Sequence, residues 1–99
     1  MKIKIKNTVP LDDDIARIFH IRDYPGYLNP FTRDEALDAK FKNGVTVRKA
    51  IFEKGDNTPL DTQGTVLGSI YVPDLGTAYF IEWDSLPHVA IFIVEAKLK

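Results

Sequence analysis

Between positions 64 and 94 the chain carries three runs rich in β-branched and aromatic residues, joined by two hairpin-length turns. No other feature constrains the fold so tightly. The runs are Gly64-Thr-Val-Leu-Gly-Ser-Ile-Tyr-Val72, Thr77-Ala-Tyr-Phe-Ile-Glu-Trp83 and His88-Val-Ala-Ile-Phe-Ile-Val94. Pro73-Asp-Leu-Gly76 and Asp84-Ser-Leu-Pro87 supply the turns, so neighbouring runs are expected to pair antiparallel. In the last run both alternating sets are apolar, Val89, Ile91 and Ile93 on one side and Ala90, Phe92 and Val94 on the other. A strand apolar on both sides is covered on both sides. Upstream, residues 45–53 read as a further strand, with Ala50-Ile51-Phe52 breaking the alternation as a bulge, and residues 55–59 read as loop.

The first half carries helical punctuation instead. After a short alternating strand, Lys2-Ile-Lys-Ile-Lys6, the residues Leu11, Ile15, Ile18 and Phe19 fall on one stripe of an amphipathic helix. Pro10 suits its first turn and Thr8 its cap, while Asp12, Asp13 and Asp14 lie at the positive end of its dipole. A second helix is expected from Thr32-Arg-Asp-Glu35, a capping box, with Ala36, Leu37, Ala39 and Phe41 as its apolar contacts and Asn43-Gly44 as its terminator. Between the two lies an aromatic connection, Asp23-Tyr-Pro-Gly-Tyr-Leu-Asn-Pro-Phe31, with Pro25-Gly26 in a tight turn.

Charge follows the same division. Residues 1–50 hold ten Lys/Arg against seven Asp/Glu, and residues 51–99 hold three against seven, which together give the formal charge of −1. Near-neutrality argues against an obligate nucleic-acid or membrane-surface binder. No apolar run approaches the roughly 18 residues of a membrane span, and the lysine-rich start has no apolar stretch behind it, so a secretory signal is not expected. The absence of cysteine removes disulfides, thiol nucleophiles and cysteine-bound metals. With 99 residues, a single domain is expected, residues 1–44 helical and residues 45–99 forming a β-barrel, in the cytoplasm.

The second half resembles a small SH3-like barrel, of the kind seen in the nitrile hydratase β-subunit's barrel domain and in many short uncharacterised bacterial proteins. Gly64-Thr-Val66 opening a strand, Tyr79-Phe-Ile-Glu-Trp83 and the closing strand with its Lys97-Leu98 tail carry the likeness, over roughly residues 45–98. Ile81 stands where that group has valine, Trp83 where it has phenylalanine, and Asp84-Ser-Leu-Pro87 replaces its Asp/Gly-rich turn. The resemblance implies a fold and transfers no catalytic residue.

Chemistry-bearing patterns are few. His20 and His88 have no partner at metal-ligand spacing, and three consecutive aspartates lack the alternation and central glycine of a calcium loop. Ser69 and Ser85 lack a nucleophile-elbow context, and Glu82 reads as an outward strand carboxylate flanked by aromatics. No catalytic, metal or cofactor site is expected. Two surface features remain. One is aromatic: Tyr24, Tyr27 and Phe31 with Tyr79 and Trp83 are the candidate binding residues, since rigid apolar rings gain contact area at low entropy cost. The other is basic: Arg17, Arg22, Arg33, Lys40, Lys42, Arg48 and Lys49 give a face able to meet RNA or DNA.

The expectation is therefore an α+β domain, two N-terminal helices packed on a small antiparallel SH3-like barrel. Its expected function is that of a non-catalytic protein-binding or accessory module, with nucleic-acid binding as the alternative. The apolar strands bearing Phe80 and Phe92 further suggest a homodimer, sensitive to changes at Phe92 and Trp83.

Overall fold

The computed structural model describes residues 20–51 and 59–99. The expected strand at 2–6, the expected first helix and most of the 55–59 loop lie outside these residues. The meander is present as a four-stranded antiparallel sheet in the order β1 (Thr46–Arg48), β2 (Gln63–Val72), β3 (Gly76–Trp83), β4 (Ile91–Val94). The first strand is shorter than its sequence pattern, and the last begins three residues later than expected. A single turn of 310 helix, Glu95–Lys97, follows β4. Beyond it the chain returns to the far edge of the sheet. Lys49 and Leu98 form an antiparallel bridge, and Arg48 and Lys99 exchange both backbone hydrogen bonds, at 2.8 and 2.9 Å. The curled sheet is thus a half-barrel closed by its own tail, compatible with an SH3-like barrel.

Two apolar layers flank the sheet. Val47, Val66, Tyr79, Ile81, Trp83, Ile91 and Ile93 pack on one face, with Ala39 and Leu98 completing the layer. On the other face Leu67, Ile70, Ala78, Phe80 and Phe92 pack with Phe31 and Ala90. The register explains the division, because paired residues share a face: Val66 with Ile81, Ile81 with Ile91, and Phe80 with Phe92. A bulge between Val66 and Gly68 shifts the alternation by one residue, so that Leu67 and Ile70 both lie in the second layer. On the first face Gly64 lies opposite Trp83, and a Cβ there would stand 2.7 Å from the indole, so the glycine makes room for the ring.

The fold is sheet-dominated and not the expected α+β arrangement of two N-terminal helices on a barrel. Among the described residues there is no α-helix, and the segment 32–43 is a chain of turns. Several of its backbone groups bond to the sheet, and the local bonds that form, such as Ala39 N–H to Ala36 C=O, close isolated turns. Asp34 C=O accepts from Ser69 N–H at 2.8 Å, Ala36 N–H donates to Ser69 Oγ at 2.9 Å, and Lys40 and Phe41 N–H both point at the Tyr79 hydroxyl, at 2.9 and 3.3 Å. The capping box is also dismantled. Thr32 Oγ1 accepts from Asp34 N–H two residues on, and Glu35 Oε1 reaches forward to Asn43 N–H. A helix of this length is marginal without tertiary help, and here the tertiary contacts favour a different conformation.

Residues 20–45 instead clothe the sheet. Arg22 and Phe31 close a loop by a reciprocal backbone pair, both bonds 3.0 Å. Inside it, Tyr24 to Tyr27 make a turn with Pro25 second and Gly26 third, and the glycine's φ of +87° suits the left-handed position that a type II turn requires. Phe31 lies over Phe80, then the chain crosses the β2 edge at Gly68 and drops Ala36, Ala39 and Phe41 onto the first face.

Candidate functional site

The five residues singled out from the sequence divide into core and surface. Phe31, Tyr79 and Trp83 are each 0% exposed and pack inside the molecule. Tyr24 and Tyr27 are half-buried on the aromatic cover, their rings 4.5 and 4.8 Å from that of Phe31. The structure therefore brings Tyr24, Tyr27 and Phe31 together and keeps Tyr79 and Trp83 in the opposite layer. Phe80 and Phe92, the residues on which self-association was expected, are also fully buried, beneath Phe31.

Tyr79 holds the cover to the sheet. Its hydroxyl donates to the Glu95 carboxylate and accepts from the two backbone amides of Lys40 and Phe41. Burial, reinforced by the Glu95 carboxylate, pushes its pKa up to about 12. Glu82 performs a similar task at the other end. It accepts from His88 N–H at 2.9 Å and from the Tyr27 hydroxyl at 2.7 Å, and these two donors hold its carboxyl below the usual range. Tyr27 is raised in turn by the same bond. Asn29 completes the attachment: its amide donates to Ala90 C=O at 2.5 Å and accepts from Ala90 N–H at 2.8 Å, as one more strand residue would. Tyr79 and Glu82 thus have structural partners that account for their polar atoms.

The basic residues are arranged in two ways. Arg22 and Arg33 both lie over the Tyr24 ring, at 5.2 and 4.9 Å from its centre, and Arg22 Nε donates to the Tyr24 hydroxyl. Lys40, Lys42 and Arg48 are exposed, whereas Lys49 is only 2% exposed and is withdrawn from any basic surface. Arg17 lies outside the described residues. His20 Nδ1 is 3.2 Å from Asp34, and His88 contributes a backbone amide. Among the described residues no group of three His, Asp or Glu is placed to hold a metal.

A concave surface lies elsewhere among the described residues, where β1 is too short to accompany β2. A groove of about 450 Å³ runs between the turns at 34–38 and the end of β2, lined by Asp34, Glu35, Ala36, Leu37, Asp38, Ser69, Ile70, Tyr71 and Thr77. Two of its apolar side chains are open, Leu37 at 97% exposed and Tyr71 at 60%, whereas Ile70 belongs to the core. Its charged lining is acidic throughout. The sequence concealed this site by a specific misreading, because a helix at 32–43 turns Leu37 inward, whereas the actual turns leave it outside. A short partner strand beside a long β2 would have signalled the open edge.

No protein-family model matches this chain, and no similarity to a curated protein or a solved structure is found. None of the helices among the described residues is long and apolar enough to cross a membrane.

Proposed function

We propose that this chain is a non-catalytic binding module that docks a segment of a partner protein in the groove between residues 34–38 and the end of β2. The observation that carries the reading is a semi-open groove of about 450 Å³ that exposes two large apolar side chains, Leu37 at 97% and Tyr71 at 60%. Recognition sites are typically concave, with apolar anchors and a few oriented polar groups. Tyrosine is moreover a favoured contact residue, because its large ring loses few rotatable bonds on binding. The likeness of residues 45–98 to the barrel of the nitrile hydratase β-subunit belongs to this same proposal, as does a cytoplasmic location.

The test uses exposed positions, so the fold is not at stake. Leu37→Gln with Tyr71→Gln is compared with Leu28→Gln, whose side chain is 81% exposed and lies outside the groove lining. Loss of captured proteins from a source-cell extract in the groove variant alone supports the reading, and equal capture by all forms overturns it. Nucleic-acid binding, the alternative, now relies on Arg22, Arg33, Lys40, Lys42 and Arg48 without Lys49. Gel shifts that fall steeply with salt, and are unaffected by the groove variant, would favour it.

A further inference from the structure

We infer that the groove takes its partner as an added β-strand, and that the partner segment is basic, with lysine or arginine alternating with aliphatic residues. The inference rests on the docking reading above and specifies its occupant. Three observations lead to it.

The first is the edge of β2. Val66 pairs on this side with Gly44 and Val45, and Ser69 N–H is taken by Asp34 C=O. Backbone groups of alternate residues face the same side of a strand, so Ser69, which is buried, and Tyr71, which is 60% exposed, face this side, and the N–H and C=O of Tyr71 open onto the groove. Among the described residues no backbone hydrogen bond reaches them from that side. A donor and an acceptor with no backbone partner among the described residues can pair with a further strand.

The second is that the strand residues on this edge carry no guard of their own. Exposed edges are commonly protected by charge, by an inward-pointing lysine or by proline within the strand. Ser69-Ile-Tyr-Val72 has none of these, and Pro73 comes only after the strand has ended. Its composition favours pairing.

The third is charge. Asp34, Glu35 and Asp38 line the groove and no basic residue does. Two copies of this surface would bring like charges together, whereas a basic strand would meet an acidic lining, in which Asp34 also faces His20 and Glu35 also accepts from Asn43 N–H. Alternate side chains of an added strand point to opposite faces, so its aliphatic residues can reach Leu37 and Tyr71 while its basic residues reach the acids.

The experiment titrates 15N-labelled full-length protein with three peptides. They are Lys-Val-Lys-Val-Lys-Val-Lys, its Glu counterpart, and the lysine peptide with its central valine amides N-methylated. The lysine peptide is expected to shift the Ser69–Val72 amides, to slow hydrogen exchange at Tyr71 and to bind less well as salt rises. The Glu peptide is expected not to bind, and N-methylation to weaken binding about tenfold, as loss of one or two hydrogen bonds requires. Asp38→Lys should weaken it about threefold or more. Equal binding of the Lys and Glu peptides, or indifference to N-methylation, overturns the inference while leaving groove docking intact. The same holds if no peptide shifts groove residues yet the Leu37/Tyr71 variant still loses its captured partner. If that variant keeps its partner, the docking reading itself has failed. A concentration-dependent dimer that protects Tyr71 would assign the edge to a second copy and would also overturn the proposal.

Discussion

Gly68 is the position at which the fold allows least substitution. The chain passes from one face of the sheet to the other at this residue, and a Cβ added there would lie 1.9 Å from Thr32 O, 2.8 Å from Thr32 C and 3.1 Å from Asp34 O. All three are backbone atoms, so no side-chain rotation relieves the clash. Gly68→Ala must open the nearest contact from 1.9 Å to at least 3.4 Å. Such a movement stretches the Ser69 to Asp34 hydrogen bond of 2.8 Å and the Ala36 to Ser69 bond of 2.9 Å. Overpacking costs about 1–3 kcal/mol, and two weakened hydrogen bonds add about 1 kcal/mol each. Reduced freedom of the unfolded chain offsets about 0.5–1 kcal/mol of this. The net loss is about 2–4 kcal/mol, a large part of the roughly 5–15 kcal/mol that a domain possesses. Urea denaturation followed by circular dichroism should show a midpoint lowered by about 1–2 M, given a slope of about 1–3 kcal/mol/M. Gly76→Ala provides the control. Its φ is +86° and nothing lies within 4 Å of the added methyl, so only about 1–2 kcal/mol of backbone strain applies. A midpoint for Gly68→Ala equal to or above that of the unsubstituted chain would refute the crossing.

Further predictions concern the polar attachments. Tyr79→Phe deprives two backbone amides and the Glu95 carboxylate of their shared partner, and should lower stability by about 2–3 kcal/mol in the same urea assay. Because the folded Tyr79 pKa stands at about 12, above the ordinary value of 10.0, its contribution is fully present below pH 10 and is lost as pH rises through about 12, which a tyrosinate absorbance titration reads directly. Glu82 has the opposite sign: its pKa is depressed, so its contribution is present above the ordinary carboxylate range and is lost as pH falls through the lowered value. Tyr27→Phe should raise the Glu82 pKa in an NMR titration, and an unchanged value would show that the Tyr27 hydroxyl does not hold it down.

The β-meander was legible in the sequence because strand pairing there is local, and alternation, turn residues and register agree. Tyr79, Ile81 and Trp83 alternate as expected and share one face, and Pro73 to Gly76 turns where its residues require. The segment 32–43 was not legible, for a physical reason. Thr32 and Glu35 are suitable cap residues, yet the same atoms satisfy other partners once Ser69 and Tyr79 are near, and neither of those is visible in a local window. The groove was lost together with that segment, since placing Leu37 on a helix gave it a buried role. Local alternation shows Glu82 only as an outward carboxylate, because its bond to Tyr27 depends on a loop more than fifty residues away.

The central claim is that the surface around Leu37 is where this chain meets another protein. A photo-crosslinking residue placed at position 37, and separately at position 28, tests it inside the cell, whatever the partner's identity. Both side chains are exposed, so neither replacement disturbs the core. A discrete covalent adduct is expected from position 37, suppressed by Tyr71→Gln, and none from position 28. An adduct from position 28 alone, or none from position 37, would contradict the claim.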